Sequence, residues 1–168
     1  MEHLYAPWRD SYISSKKSDC VFCDISKNPK NDTKNHVLYR DDLCFIVMNK
    51  YPYNAGHFMV IPHQHIDNIE NLDNSTWINM STLVKQGVQL LKDGFGVQGV
   101  NLGMNLGDIA GAGIAPHIHY HLVPRYKGDT NFISTIANSR VYSTDFEAIY
   151  SKIFTLSKKY FTPLSRGH

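Results

Sequence analysis

Cysteine, charge of one sign and long apolar runs are all scarce in these 168 residues. Three cysteines make an odd, small set that suits no disulfide framework. The 17 Lys+Arg stand against 15 Asp+Glu, a formal +2, so bulk charge does not drive nucleic-acid binding, and none is expected. No apolar stretch approaches the roughly 18 residues of a membrane span. The opening MEHLYAPWRD has an acidic residue and no apolar h-region, so a cytoplasmic location without a secretory leader is the expectation. What the chain does have is core material: 42% hydrophobic and 12% aromatic residues. That composition excludes general disorder and suits one domain over 1–168. Within it, 1–19 reads as an N-terminal extension and 143–162 as a C-terminal helix.

The pattern along the chain is α+β. Val37–Arg40 and Leu43–Asn49 read as strands around an Asp41-Asp42 turn. Asn54-Ala55-Gly56 reads as a turn, and His57–Ile61 as a strand stopped by Pro62. Trp77, Met80, Val84, Gly87, Val88 and Leu91 keep helical spacing, with Asp73 or Asn74 as cap and Gly94 just past the end. Gly99–Asn105 and His117–Val123 read as two more strands. Thr144-x-x-Glu147 resembles a capping box ahead of an apolar face of Phe146, Ile149, Tyr150 and Ile153. Strands mixed with two helices in this order predict an antiparallel sheet with a packed amphipathic helix and a C-terminal helix. Gly94-x-Gly96-x-x-Gly99 matches a dinucleotide-binding pattern, but it follows a helix and precedes a strand. That is the reverse of the order such a site needs.

Histidine carries the chemistry. Of nine histidines, six fall in two clusters: His57, His63 and His65, then His117, His119 and His121. In His117-Ile-His-Tyr-His-Leu-Val123 a strand would put three imidazoles on one face, roughly 6.5–7 Å apart, around one small anionic group. A histidine-decorated solvent face and a trio of metal ligands are the competing readings. Upstream, Asn105-Leu-Gly-Asp-Ile-Ala-Gly-Ala-Gly113 is a loop of small residues whose backbone N–H groups suit a phosphate. Cys20-x-x-Cys23 has the spacing of two thiolates on one zinc ion, and such a site needs two more ligands. Cys44, within an apolar run, reads as a buried small hydrophobe.

Asn101–Phe132, ending HIHYHLVPRYKGDTNF, resembles the signature of the histidine triad family, His-φ-His-φ-His-φ-φ, with Tyr120 as a mild departure. The likeness extends upstream through Cys20-x-x-Cys23, Asn49-Lys-Tyr-Pro and Gly56-His-Phe-Met-Val-Ile-Pro62. It covers roughly residues 20–135 and implies a histidine-triad fold. Ile114 stands where one branch carries serine, and Pro124-Arg-Tyr-x-Gly-Asp129 is similar to the Fhit-like branch that cleaves diadenosine polyphosphates by hydrolysis or phosphorolysis.

The resemblance implies that His119 attacks the α-phosphate of a nucleotide and carries it as a nucleotidyl-imidazole. His121 would contact the phosphate and assist the leaving group, with His57 in support. Asn49 would hold the ribose, and Asn105 with the backbone of Gly111, Ala112 and Gly113 would hold phosphate oxygens. Cys20, Cys23, His65 and His117 would ligate a structural zinc, while His63 reads as a surface residue. Magnesium would enter only chelated to the substrate, and a homodimer is expected. Arg125 would either contact distal phosphates or pair with Asp129. Water or inorganic phosphate as acceptor, a phosphoramidate substrate, and a nucleotide-binding regulator with vestigial turnover stay open as alternatives.

Overall fold

A computed structural model describes residues 20–114, 116–129 and 145–163. In chain order the elements are α1 (Val21–Lys27), β1 (Val37–Arg40), β2 (Cys44–Met48), β3 (Phe58–Pro62), α2 (Asn74–Phe95), β4 (Gly99–Gly103), β5 (Tyr120–Arg125) and α3 (Phe146–Tyr160). The strands form one antiparallel sheet in the order β1-β2-β3-β5-β4. The architecture is α+β.

The continuous apolar runs of β2 and β3 follow from cover on both faces. Cys44, Ile46, Met48, Phe58 and Val60 join the large core with Met80, Leu83, Leu90 and Leu91 of α2 and Ile149 and Ile153 of α3. The alternate residues Phe45, Val47, Met59 and Ile61 form a second cluster with Phe22 and Ile25 of α1. Among the described residues, one face therefore carries the two long helices and the other carries the short helix α1.

A helix of seven residues is marginal by itself, and α1 is held from outside. Arg40 donates to the carbonyls of Ile25 and Ser26 at its C-terminal end (2.9 and 3.0 Å) while its guanidinium grips Asp32 (2.6 and 3.0 Å). The hairpin turn closes on Asp41, whose Oδ1 accepts from the backbone N–H of Leu43 and Cys44. Cys44 is fully buried.

Asp73 caps α2 by accepting from the Thr76 N–H. The other end differs from the sequence expectation. Gly94 lies inside the helix, which runs to Phe95 and closes on Gly96 in the left-handed region at φ 62°. Asp145 caps α3 through the Glu147 N–H, and the expected capping residue Thr144 lies outside the described residues.

The last strand also differs: β5 begins at Tyr120, not His117. Continuing the β3 register beyond Val60↔Tyr120 would set Pro62 opposite Ile118. Proline has no N–H to give the ladder, and the Ile118 N–H bonds the Ile66 carbonyl instead (2.8 Å). At its far end β5 runs through Pro124, opposite Val100 of β4. On the other side β3 has already ended at Phe58↔Leu122, so no ladder bond is lost there.

Candidate active site and metal centre

Residues directly opposite in an antiparallel pair share a face. Met59 of the α1-side cluster faces His121 across the β3–β5 ladder. His57, two residues before Met59, lies on that same side by strand alternation. Upstream of β5 the alternation persists: Ile118 and Leu122 enter the large core, while the His117 and His119 rings meet Phe22 of α1 at centroid distances of 5.5 and 5.1 Å. His57, His119 and His121 thus converge, with ring centroids 5.1 Å apart for His57–His121 and 4.8 Å for His119–His121. The expected trio of imidazoles around one anion becomes a pair with a support, because His117 turns away into another cluster.

Hydrogen-bond partners fix where the protons sit. His119 Nδ1 lies 2.9 Å from the His117 carbonyl, and a carbonyl can only accept, so Nδ1 carries the hydrogen. The Nε2 lone pair is therefore left for chemistry. His57 Nδ1 accepts from the Tyr53 backbone N–H at 3.1 Å, which puts the His57 proton on Nε2. That nitrogen is 2.9 Å from His121 Nδ1, so His57 donates and His121 holds its own proton on Nε2. Two imidazoles end up with opposite roles: one offers a lone pair, its neighbour an N–H.

Burial and mutual proximity favour the neutral form of all three rings. Burial, then the neighbouring His121 and His119, push His57 down to about 3. Burial and His119 push His121 down to about 4. Burial also lowers His119, against the opposing pull of its bond to the His117 carbonyl. Protonating one ring beside the others in a poorly solvated pocket is unfavourable.

His117 belongs to the cysteines. It is fully buried, its Nε2–H donates to the Pro62 carbonyl (2.9 Å), and its Nδ1 faces Cys20 Sγ at 3.4 Å and Cys23 Sγ at 3.7 Å. His65 Nδ1 lies 3.1 Å from Cys23 Sγ. The four donor atoms of Cys20, Cys23, His65 and His117 all fall within 4.8 Å of one another. Burial and the adjacent Cys20 push the Cys23 thiol up. His63 stays out of this set. It is half-buried and bridges α1 to the hairpin turn through Ser26 Oγ (2.8 Å) and the Asp41 carbonyl (2.9 Å).

Asn49 stands at the end of β2 beside His57, its Nδ2 3.4 Å from His57 Nε2 and its Oδ1 accepting from the Tyr51 N–H. The 105–113 loop leaves β4 just past Gly103, which pairs with His121, so the loop starts at the histidine end of the sheet. Asn105 Nδ2 donates to the Gly111 carbonyl (3.3 Å). The N–H groups of Gly111 and Ala112 bond the Asp108 and Gly107 carbonyls, so they must exchange those turn bonds to meet a phosphate. Gly107 and Gly111 sit at φ 84° and 88°, where only glycine is comfortable. Of the two readings of Arg125, the ion pair is formed: its guanidinium holds Asp129 (2.6 and 2.9 Å) and donates to Asn101 (3.0 Å). Phe22 and Tyr53 escaped the sequence reading, and Asn54 entered it only as a turn residue. Phe22 is flagged only by lying between two cysteines, and Tyr53 acts through a backbone N–H that no side chain advertises.

A family model described as "HIT domain" matches residues 30–128. The chain belongs to the HIT family. It is 32% identical over 151 residues to the AP-4-A phosphorylase of Mycobacterium tuberculosis, a match covering 84% of this chain and 76% of that one. It is 31% identical over 109 residues to the asymmetrical bis(5'-nucleosyl)-tetraphosphatase of Schizosaccharomyces pombe, covering 65% of this chain and 57% of that one. The crystal structure of a Zn-bound histidine triad family protein from Mycobacterium smegmatis superposes with a TM-score of 0.68 at 25% identity, over 84% of this chain and 94% of that chain.

Proposed function

We propose that this HIT protein cleaves dinucleoside polyphosphates at the α-phosphate through a nucleotidyl-His119 intermediate. The observation that carries the reading is the 2.9 Å bond from His119 Nδ1 to the His117 carbonyl, which leaves a neutral Nε2 lone pair beside the His121 N–H. Nε2 attacks the α-phosphorus, the bond to the bridging oxygen breaks, and the polyphosphate departs as an anion with that electron pair. His121 Nε2–H hydrogen-bonds the departing oxygen, where charge develops, and His57 keeps His121 in that tautomer. Asn49 holds the ribose. Asn105 and the backbone of Gly111, Ala112 and Gly113 hold phosphate oxygens.

The acceptor then attacks phosphorus, and the P–N electron pair returns to Nε2. Water yields AMP and a proton; inorganic phosphate yields ADP. Likeness to the M. tuberculosis AP-4-A phosphorylase supports phosphate, and likeness to the S. pombe tetraphosphatase supports water. Product analysis by mass spectrometry on diadenosine tetraphosphate with inorganic phosphate present decides: AMP with ATP means hydrolysis, and ADP with ATP means phosphorolysis. Absence of both products overturns the reading.

The Cys20, Cys23, His65 and His117 set fits a structural zinc. Bonds of about 2.3 Å to sulfur and about 2.0–2.1 Å to nitrogen put tetrahedral neighbours about 3.3–3.8 Å apart. Two of the Cys–His separations, 3.4 and 3.7 Å, fall within that range and the third, 3.1 Å, lies just below it. The Pro62 carbonyl on His117 Nε2 is the kind of outer partner that orients a ligating imidazole. The zinc would tie α1 to the segment bearing His119, and no chemical step passes through it.

A further inference from the structure

The His57 tautomer depends on one backbone N–H, so whatever holds the 53–57 turn has a hand in the chemistry. Asn54 is the hub of that turn. Its Nδ2 donates to the Pro124 carbonyl (3.0 Å) and to Asp129 Oδ2 (2.9 Å), and its carbonyl accepts the His57 N–H (3.1 Å). Asp129 is in turn gripped by Arg125 and accepts from the Tyr126 N–H, while the Tyr126 hydroxyl donates to the Ala55 carbonyl (2.9 Å). Gly56, at φ 84°, closes against Pro124, where an added Cβ would approach Cγ to 3.4 Å. The turn is thus clamped to the end of β5 and the loop after it, and its exit delivers His57.

We propose that Asn54, held by the Arg125–Asp129 pair, is a positioning residue that locks the proton of His121 on Nε2, facing the leaving group. The path is a chain of single hydrogen bonds. The clamp fixes the turn, the turn aims the Tyr53 N–H at His57 Nδ1, and His57 Nε2–H then occupies His121 Nδ1. Loosen the turn and His57 can adopt its other tautomer, with the proton on Nδ1. His121 then loses the donor that reserves its own Nδ1 as an acceptor, and its N–H no longer points dependably outward. The nucleophile is untouched, because His119 takes its tautomer from the His117 carbonyl. The inference rests on the proposed nucleotidyl transfer for its consequence, but not for its geometry.

The test has two readouts on Asn54→Ala and Arg125→Met. In protein labelled with nitrogen-15 at histidine and free of nucleotide, wild type should show His57 and His121 each protonated at Nε2. Both variants should show a fraction of the Nδ1-protonated form, and His119 should stay protonated at Nδ1. Turnover of aryl esters of AMP with leaving phenols of graded acidity is the second readout. Asn54→Ala should lose about tenfold or more in kcat with the most basic phenol and less than about twofold with the most acidic, since a leaving-group hydrogen bond matters most where charge is worst accommodated. A purely structural role would slow every ester alike.

Unchanged tautomers in the folded variants overturn the inference, as does a uniform loss across the esters. If wild type cleaves none of the esters, the nucleotidyl-transfer reading falls and the nitrogen shifts alone decide the positioning claim. Arg125→Met keeps the Asn54 side chain and removes only the grip on its acceptor Asp129, so it keeps the question answerable if Asn54→Ala does not fold.

Discussion

His57 is fully buried with its proton-accepting capacity committed to the fold, and that has a price in acid. Its folded value is about 3 and that of His121 about 4, against about 6.5 in an unfolded chain. Below pH 6.5 the unfolded chain therefore binds protons that the native protein refuses. By linkage, stability falls as pH drops from 6.5 toward 4, by about 1.4 kcal/mol per pH unit for each such proton. Urea titrations between pH 7 and pH 5 should show this fall above the range where carboxylates titrate. His57→Gln should flatten it by about one proton's worth; a profile flat from pH 7 to 5 would contradict the assignment. The residue types at this site were legible from their alternation, and the neutral state was not, since it depends on burial that only the folded sheet creates.

At the scale of elements, two glycines of α2 separate close packing from tolerance. A Cβ on Gly87 would lie 2.8 Å from Leu122 Cδ2 and 3.0 Å from the Phe58 ring, both fully buried where β3 meets β5. A Cβ on Gly94 would meet a terminal methyl of Leu156, which is only partly buried where it packs against the core. Gly87→Ala should cost about 1–3 kcal/mol by overpacking. Gly94→Ala should be near neutral, the clash offset by the roughly 0.5–1 kcal/mol that alanine gains in a helix. Chemical denaturation of the two variants checks the contrast, and equal losses would refute it.

The same glycines mark what could be read along the chain. Spacing located α2 and narrowed its cap to Asp73 or Asn74, but Gly94 looks like a terminator unless its contact with α3, about 60 residues away, is known. The strands β1 to β4 were legible to within two residues because their apolar runs are bounded by turns. The start of β5 was not, because Pro62 and Ile66, from a distant segment, end the ladder there. The two-helix cover of the sheet followed from the apolar faces. The role of α1 did not, since seven residues carry little periodicity and its anchor, Arg40, reads in sequence as an ordinary strand charge.

For the whole molecule, the Cys/His cluster joins the start of α1 to the segments that follow β3 and precede β5. If zinc occupies it, a ligand that binds only the folded chain adds to stability by mass action. Metal analysis of the purified protein should find about one zinc per chain. Chelation under reducing conditions should lower Tm by about 5 °C or more. Cys23→Ser should bind no zinc and melt like the chelated wild type. A metal-free protein whose Tm ignores both zinc and chelator would contradict this.

During turnover His119 Nε2 should become bonded to phosphorus, and intact-mass analysis of the protein detects that bond. Diadenosine tetraphosphate should be mixed with the protein, quenched in alkali to spare the acid-labile P–N bond, and the protein weighed and fragmented. A mass gain of one adenylyl group confined to His119 is expected. His119→Ala should carry no adduct and lose at least about 10³-fold in kcat. An adenylyl group on any other residue, or undiminished turnover by His119→Ala, would contradict it.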